Sequence, residues 1–124
     1  MKRFITTQKA PAPIGPYNQA VDTGSMLFIS GQIPVDPANG LIPESIEEQT
    51  AISLQNVKAI LEEAGYNMTN VVKTSIFITD MNDFPVINRI YGEYFTSDFP
   101  ARETVQVSRL PKDVKVEISA IAVK

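Results

Sequence analysis

The segment Phe99-Pro100-Ala101-Arg102-Glu103-Thr104 sets an arginine at the mouth of an apolar strand, Val105 to Leu110, behind a proline that stiffens the approach. Arginine presents a planar fork of donors, the side chain best shaped to grip a carboxylate at two points. The chain holds no cysteine, histidine or tryptophan. Any chemistry therefore falls to carboxylates, hydroxyls, amides and backbone groups, with a cation such as Arg102 to hold the substrate. On residue type alone, an ordinary surface ion pair is the commoner fate of such an arginine. A second candidate is Glu117, set between Val116 and Ile118 on an apolar strand. A carboxylate there is costly unless it is paired or hydrogen-bonded. Lys115 shares its strand face and offers a plain ion pair. The functional alternative is a carboxyl whose proton affinity rises with burial, suited to proton transfer or to orienting water.

Other residues join this pair as candidates. Tyr17 follows the rigid Gly15-Pro16 turn, where its phenol can donate to an anion or simply pack. Ser30-Gly31-Gln32 ends an apolar strand, and a glycine there lets a ligand approach the Gly31 amide and the Ser30 hydroxyl. A plain strand-ending turn explains the same pair. Asn88 lies on a helix beside its apolar stripe, as a surface amide or as a donor into a cleft. Thr104 sits two residues beyond Arg102 on the same strand face, although most strand threonines do nothing catalytic.

A chain of 124 residues can bury a real core as a single domain, residues 1–124. A net charge of −3, with Lys and Arg scattered, disfavours a nonspecific nucleic-acid binder, which needs a concentrated basic surface. Without cysteine there is no disulfide frame, no thiolate catalysis and no usual zinc site. Without histidine a metal needs an all-oxygen site, and no acidic loop has calcium-type spacing. Ser-His-Asp and Cys-His sets are excluded, and no glycine-rich phosphate loop follows a strand. Met1 to Thr6 lacks the apolar core of a signal peptide, and no apolar run reaches membrane-spanning length. A cytoplasmic protein with no membrane partner is expected.

The elements that must position these residues follow from local chemistry. Lys9 to Tyr17, with Pro11, Pro13, Gly15 and Pro16, reads as an extended, turn-filled arm. Strands near Asn18–Val21 and Met26–Ser30 form a hairpin across Asp22-Thr23-Gly24-Ser25, and Gln32 to Gly40 is a loop. Ser45 and Glu48 form a capping box ahead of a stripe of Leu54, Val57, Ile60, Leu61 and Ala64, and Gly65 supplies the stop. Val71 to Thr79 is a strand. A second helix spans about Phe84 to Phe95, capped by Asp83 or Asn82, with Pro85 in its first turn. Strands near Thr104–Ser108 and Val114–Val123 close the chain. The order is strand, strand, strand, helix, strand, helix, strand, strand, with residues assigned to two of the three opening strands. This is an α+β pattern, a mixed sheet with two helices on one face. On the last strand Val114, Val116, Ile118, Ala120 and Ala122 share one face, and Lys115, Glu117, Ser119, Ile121 and Val123 the other. Both faces are too apolar to meet water freely, so a second subunit is expected over the uncovered one.

Ile14-Gly15-Pro16-Tyr17, Ser30-Gly31-Gln32-Ile33-Pro34, Asn56-Val57-Lys58-Ala59-Ile60-Leu61, Val72-Lys73-Thr74, Pro100-Ala101-Arg102 and Leu110-Pro111-Lys112-Asp113-Val114 occur in order along nearly the whole chain. Together they resemble the Rid family, closely its RidA-type imine deaminases, also called YjgF-like. The resemblance implies a chorismate-mutase-like fold and a homotrimer with a cleft at each subunit boundary. It implies cofactor-free hydrolysis of reactive 2-imino or enamine acids, such as 2-iminobutanoate and 2-iminopropanoate, to 2-keto acids and ammonia. Arg102 is then the carboxylate clamp and Glu117 the acid that positions water, while Tyr17, Ser30, Gly31, Asn88 and Thr104 line the pocket. Thr104 stands where many members carry cysteine. Glu103 replaces a small hydroxyl residue, and strand alternation should point its charge away from Arg102. The alternative is a non-catalytic ligand-binding or regulatory trimer of the same family. An RNA-directed role is weakened by the acidic balance.

Overall fold

A computed structural model describes residues 2–124 as three opening strands, β1 (Arg3–Ile5), β2 (Ala20–Asp22) and β3 (Met26–Gln32), followed by α1 (Ile46–Glu63), β4 (Val71–Ile78), α2 (Phe84–Tyr94), β5 (Ala101–Gln106) and β6 (Val116–Val123). The order of strands and helices is the expected one. Spatially the sheet runs β1-β2-β3-β6-β4-β5. Among the described residues only β4 and β5 pair in parallel, so the sheet is mixed.

Helix α1 is fixed at both ends by its own sequence. Ser45 Oγ accepts the Glu48 N–H at 3.1 Å, and its hydroxyl donates to Glu48 Oε1, also at 3.1 Å. At the other end Gly65 takes φ +83°, the Tyr66 N–H reaches Leu61 O at 2.9 Å, and the Gly65 N–H reaches Glu62 O at 3.1 Å. Those two bonds satisfy carbonyls that would otherwise end unpaired. Leu54, Val57, Ile60 and Leu61 are fully buried beneath it. The start of α2 differs in part from expectation. Asp83 holds the N-cap position as expected but makes no side-chain cap bond; Asp80 instead accepts the Asn82 N–H at 2.9 Å and opens a tight 3₁₀ turn, Met81–Asp83, that runs into the helix. Pro85 occupies the first turn, as its missing N–H allows.

Strand limits moved where pairing is non-local. β5 starts at Ala101, not Thr104, because parallel pairing from Lys73↔Ala101 to Ile78↔Gln106 supplies ladder bonds to polar residues of low strand propensity. Arg102 therefore sits within the strand. β6 begins at Val116, since Pro111–Asp113 forms a 3₁₀ turn in which Lys112 and Asp113 both take φ 56°. Leu27, Ile29, Ile76, Ile78, Val116 and Ile118 bury one sheet face beneath both helices. On the other face Phe28, Val105 and Val123 stay exposed.

Candidate active site in two clusters

Register decides where Arg102 points. It pairs with Thr74, which is buried on the helix-covered face, so alternation turns Arg102 toward α2. There Nη1 donates to Asn88 Oδ1 at 2.9 Å. The guanidinium carbon lies 4.8 Å from the ring centre of Tyr91 and 5.6 Å from that of Phe84. The Tyr91 hydroxyl is in turn 2.8 Å from Thr74 Oγ1, and both are buried. Burial pushes the Tyr91 phenol up, opposed by the Thr74 bond and by the charge of Arg102. An aromatic floor, fixed from below, thus seats the cation. Arginine carries five N–H donors. Among the described residues only Asn88 hydrogen-bonds it, and no carboxylate lies within ion-pair distance. The seat opens into a cleft of about 480 Å³ lined by Asn88, Tyr91, Phe95, Phe99, Pro100 and Arg102.

Glu103 faces the other way. It pairs with Lys73 at 3.0 Å and with the Ser75 hydroxyl, and these two, the hydroxyl first, hold its carboxyl below the usual range. Its charge is neutralised on the open face of the sheet.

The second cluster surrounds Glu117. A cleft of about 620 Å³ brings Tyr17, Ser30, Gly31, Ile33, Lys112 and Glu117 together. Lys115 does not pair with Glu117; its ammonium donates to Glu44 O at 2.8 Å. Half-buried and without an ion-pair partner among the described residues, the Glu117 carboxyl is pushed above the usual glutamate value by burial. Gly31 makes room for it, because a Cβ at that position would collide with the carboxylate. Ser30 and Gly31 lie where β3 shifts register against β6, between Ile29 and Gln32. The Ser30 hydroxyl donates to Asn18 O at 2.6 Å and keeps lone pairs free. The Tyr17 hydroxyl accepts the Ile14 N–H at 3.3 Å, which leaves its own proton to donate.

The two clusters do not meet in one chain. Glu117 pairs with Phe77, which alternates with buried Ile76 and Ile78, so Glu117 lies on the open face. Arg102 lies on the helix face, and β4 separates β5 from β6. Thr104 lines neither cleft, and its buried hydroxyl has no hydrogen-bond partner among the described residues. Phe84 and Tyr91 belong to the site although their sequence pattern does not single them out. Tyr91 looks like a member of the α2 apolar stripe, and its spacing of three from Asn88 is the only signal that it shares a face with a polar group.

Residues 7–124 match the family model described as Endoribonuclease L-PSP. The chain is 54% identical over 127 residues to the 2-iminobutanoate/2-iminopropanoate deaminase of Salmonella typhimurium, covering 100% of this chain and 99% of that protein. It is likewise 54% identical over 125 residues to a RutC family protein of Pyrococcus horikoshii, with 100% and 99% covered. A crystal structure of Escherichia coli TdcF with bound serine superposes with a TM-score of 0.96 at 53% identity, covering 98% of each chain.

Proposed function

This chain belongs to the Endoribonuclease L-PSP family, the Rid family that its motifs resemble, and on that footing we propose that it hydrolyses 2-imino acids to 2-keto acids and ammonia. The observation that carries the reading is Arg102, seated on Tyr91, tethered by Asn88 and left without a carboxylate of its own chain among the described residues. A preorganised guanidinium with spare donors is a receptor for the substrate carboxylate. The serine bound in the TdcF structure is a small molecule with such a group, in a relative of nearly the same fold.

The reaction needs little more. With the carboxylate of a 2-iminium acid held on Arg102, its electrophilic carbon lies at a fixed distance from a water bound by Glu117. The water oxygen bonds to that carbon while Glu117 takes a proton from it, and the C=N electron pair moves to nitrogen. Glu117 then passes the proton to nitrogen and the C–N bond breaks. The hydroxyl proton returns to Glu117 and leaves with ammonia as ammonium. A carboxyl whose affinity for protons is raised suits both transfers, and such a group is worth ~10²–10⁴-fold. Tyr17 and Ser30 hydrogen-bond the developing oxygen.

Since one chain places Arg102 and Glu117 on opposite sheet faces, the reacting site in this reading is completed by a second copy. Arg102 and Asn88 of one protomer face Tyr17, Ser30 and Glu117 of the next. The exposed Phe28, Val105 and Val123 give the open face a reason to be covered, and the assembly we infer is a homotrimer. The ribonuclease in the family's description has no electrostatic support here, at net charge −3.

The test adds purified protein to a threonine dehydratase reaction in which an amine nucleophile traps the released imine. Faster 2-ketobutyrate formation with less trapped adduct is expected, and Arg102→Ala should lose it by about 10²-fold or more. Binding of 2-ketobutyrate without any change in imine lifetime would replace the enzyme by a ligand-binding trimer.

A further inference from the structure

We propose that Gln19 is the positioning residue of the Glu117 cleft, a role that rests on the imine-hydrolysis reading. Residues 8–17, which carry Ile14 and Tyr17 to the cleft, lie between β1 and β2 and belong to no strand. Pro11, Pro13 and Pro16 have no N–H to give, so the arm cannot be held by a sheet ladder. The Gln19 side chain takes the ladder's place. It is 2% exposed. Its Oε1 accepts the Thr7 N–H at 2.7 Å, and its two Nε2 hydrogens are shared among Thr7 O at 3.0 Å, Ala10 O at 3.2 Å and Pro11 O at 2.9 Å. Among the described residues, these last two are the hydrogen bonds that tie residues 8–17 to the chain beyond Tyr17. The backbone of the same residue holds the opposite wall, because Gln19 O accepts the Ser30 N–H at 2.9 Å. One buried residue, through its carboxamide on one side and its backbone carbonyl on the other, therefore sets the distance between the arm bearing Tyr17 and the bulge bearing Ser30 and Gly31.

Only a neutral side chain with both a donor and an acceptor can make this clamp. Gln19→Glu keeps the acceptor for Thr7 but turns a carboxylate toward the carbonyls of Thr7, Ala10 and Pro11; its hydrogen-bond partners are all backbone groups, and the titratable residues of the pocket it lines are Tyr17, Asp36 and Lys112. Such a carboxyl docks the arm only while protonated, when its O–H can donate to one carbonyl. Its folded pKa is raised, so docking is present at acidic pH and lost as pH rises through that value.

In Gln19→Glu, amide exchange of residues 8–17, corrected for intrinsic rate, should rise between pH 5.5 and pH 8 relative to the unaltered protein. Amides of β4 and β6 should stay protected. Imine hydrolysis should fall by about 10-fold or more at pH 8 and recover in part at pH 5.5, through kcat more than KM, because Arg102 is untouched. Gln19→Met, isosteric and unable to ionise, should lose activity to a similar extent at both pH values. Arm exchange unchanged in both variants, or a freed arm with hydrolysis at the unaltered rate, would overturn the proposal. Loss of β4 and β6 protection in both would assign Gln19 to the fold rather than the cleft, and would also overturn it. An unaltered protein without imine hydrolysis would remove the deaminase reading alone. Arm exchange in the two variants would still decide the clamp.

Discussion

Asp22 and Glu117 are carboxylates drawn out of water on the same sheet, and their proton affinities move in opposite directions. Asp22, 5% exposed, accepts the Gly24 N–H at 2.8 Å, Arg3 Nη2 at 2.8 Å and the Tyr66 hydroxyl at 3.1 Å. The Gly24 bond first, and Arg3 next, hold its carboxyl below the usual aspartate value despite burial. Among the described residues Glu117 has no such partners, and burial raises it. The first arrangement stabilises the fold: it ties the β1–β2 edge to the end of α1, where Arg3 also donates to Ala64 O at 3.0 Å. The second costs stability, and Gly31 leaves the space that the Glu117 carboxylate fills. A carboxylate kept at a cost, in a cleft, with its proton affinity shifted, fits the acid–base role proposed for Glu117.

The sharpest way to break this contrast is Glu117→Gln. Imine hydrolysis should fall by ~10²–10⁴-fold, the usual contribution of one positioned acid–base group. Stability should move the other way. A carboxyl whose folded pKa is raised favours the fold below its unfolded value, and that advantage is lost as pH rises through the folded one. Thermal melts at pH 5 and pH 8 should show the glutamine variant gaining on the unaltered protein as pH rises. A variant that loses stability at pH 8 and keeps its rate would show that Glu117 is another Asp22.

Asp22→Asn is the mirror experiment. It removes charge-assisted bonds from a buried acceptor and should cost about 1–3 kcal/mol at pH 7 by chemical denaturation. Arg3 is largely exposed, so most of that loss belongs to the Gly24 and Tyr66 bonds. The stabilisation by Asp22 is present above the unfolded aspartate value and lost as pH falls through the lowered folded one, so the two proteins should converge in acid. Hydrolysis per folded molecule should not change. A matching loss of rate would place Asp22 in the working site and end the distinction.

How much of this is legible in sequence depends on how local the cause is. Both ends of α1 can be read because Ser45, Glu48 and Gly65 act on backbone within a turn of themselves. β1 and the first residues of β5 cannot, since Arg3–Ile5 and Ala101–Glu103 are strands only by virtue of Asp22 and Lys73 across the ladder. Arg102 and Glu117 stand out because a charge beside apolar residues is costly wherever the strand lies. Their separation onto opposite faces is invisible, because it follows from the register of β4 against two different neighbours. Tyr91 and Gln19 are hidden for the same reason. Each looks ordinary until a distant segment supplies its partner.

The smallest effect tests the finest part of the contrast, that Asp22 is held down by bonds rather than by net charge. Tyr66 is buried, and burial first, then its bond to Asp22, pushes its phenol up, so the hydroxyl stays a donor throughout the working range. Tyr66→Phe removes that donor and leaves Gly24 and Arg3 in place. The cost should be about 0.5–1.5 kcal/mol, the net worth of one hydrogen bond. The Asp22 carboxyl, with one fewer donor, should also titrate closer to its ordinary value, so the acid unfolding limb should shallow as the total falls. Carboxyl chemical shifts followed through an acid titration read this directly. If the Asp22 midpoint does not move while stability drops, the Tyr66 hydroxyl acts through packing. The low proton affinity of Asp22 would then rest on the Gly24 N–H and Arg3 alone.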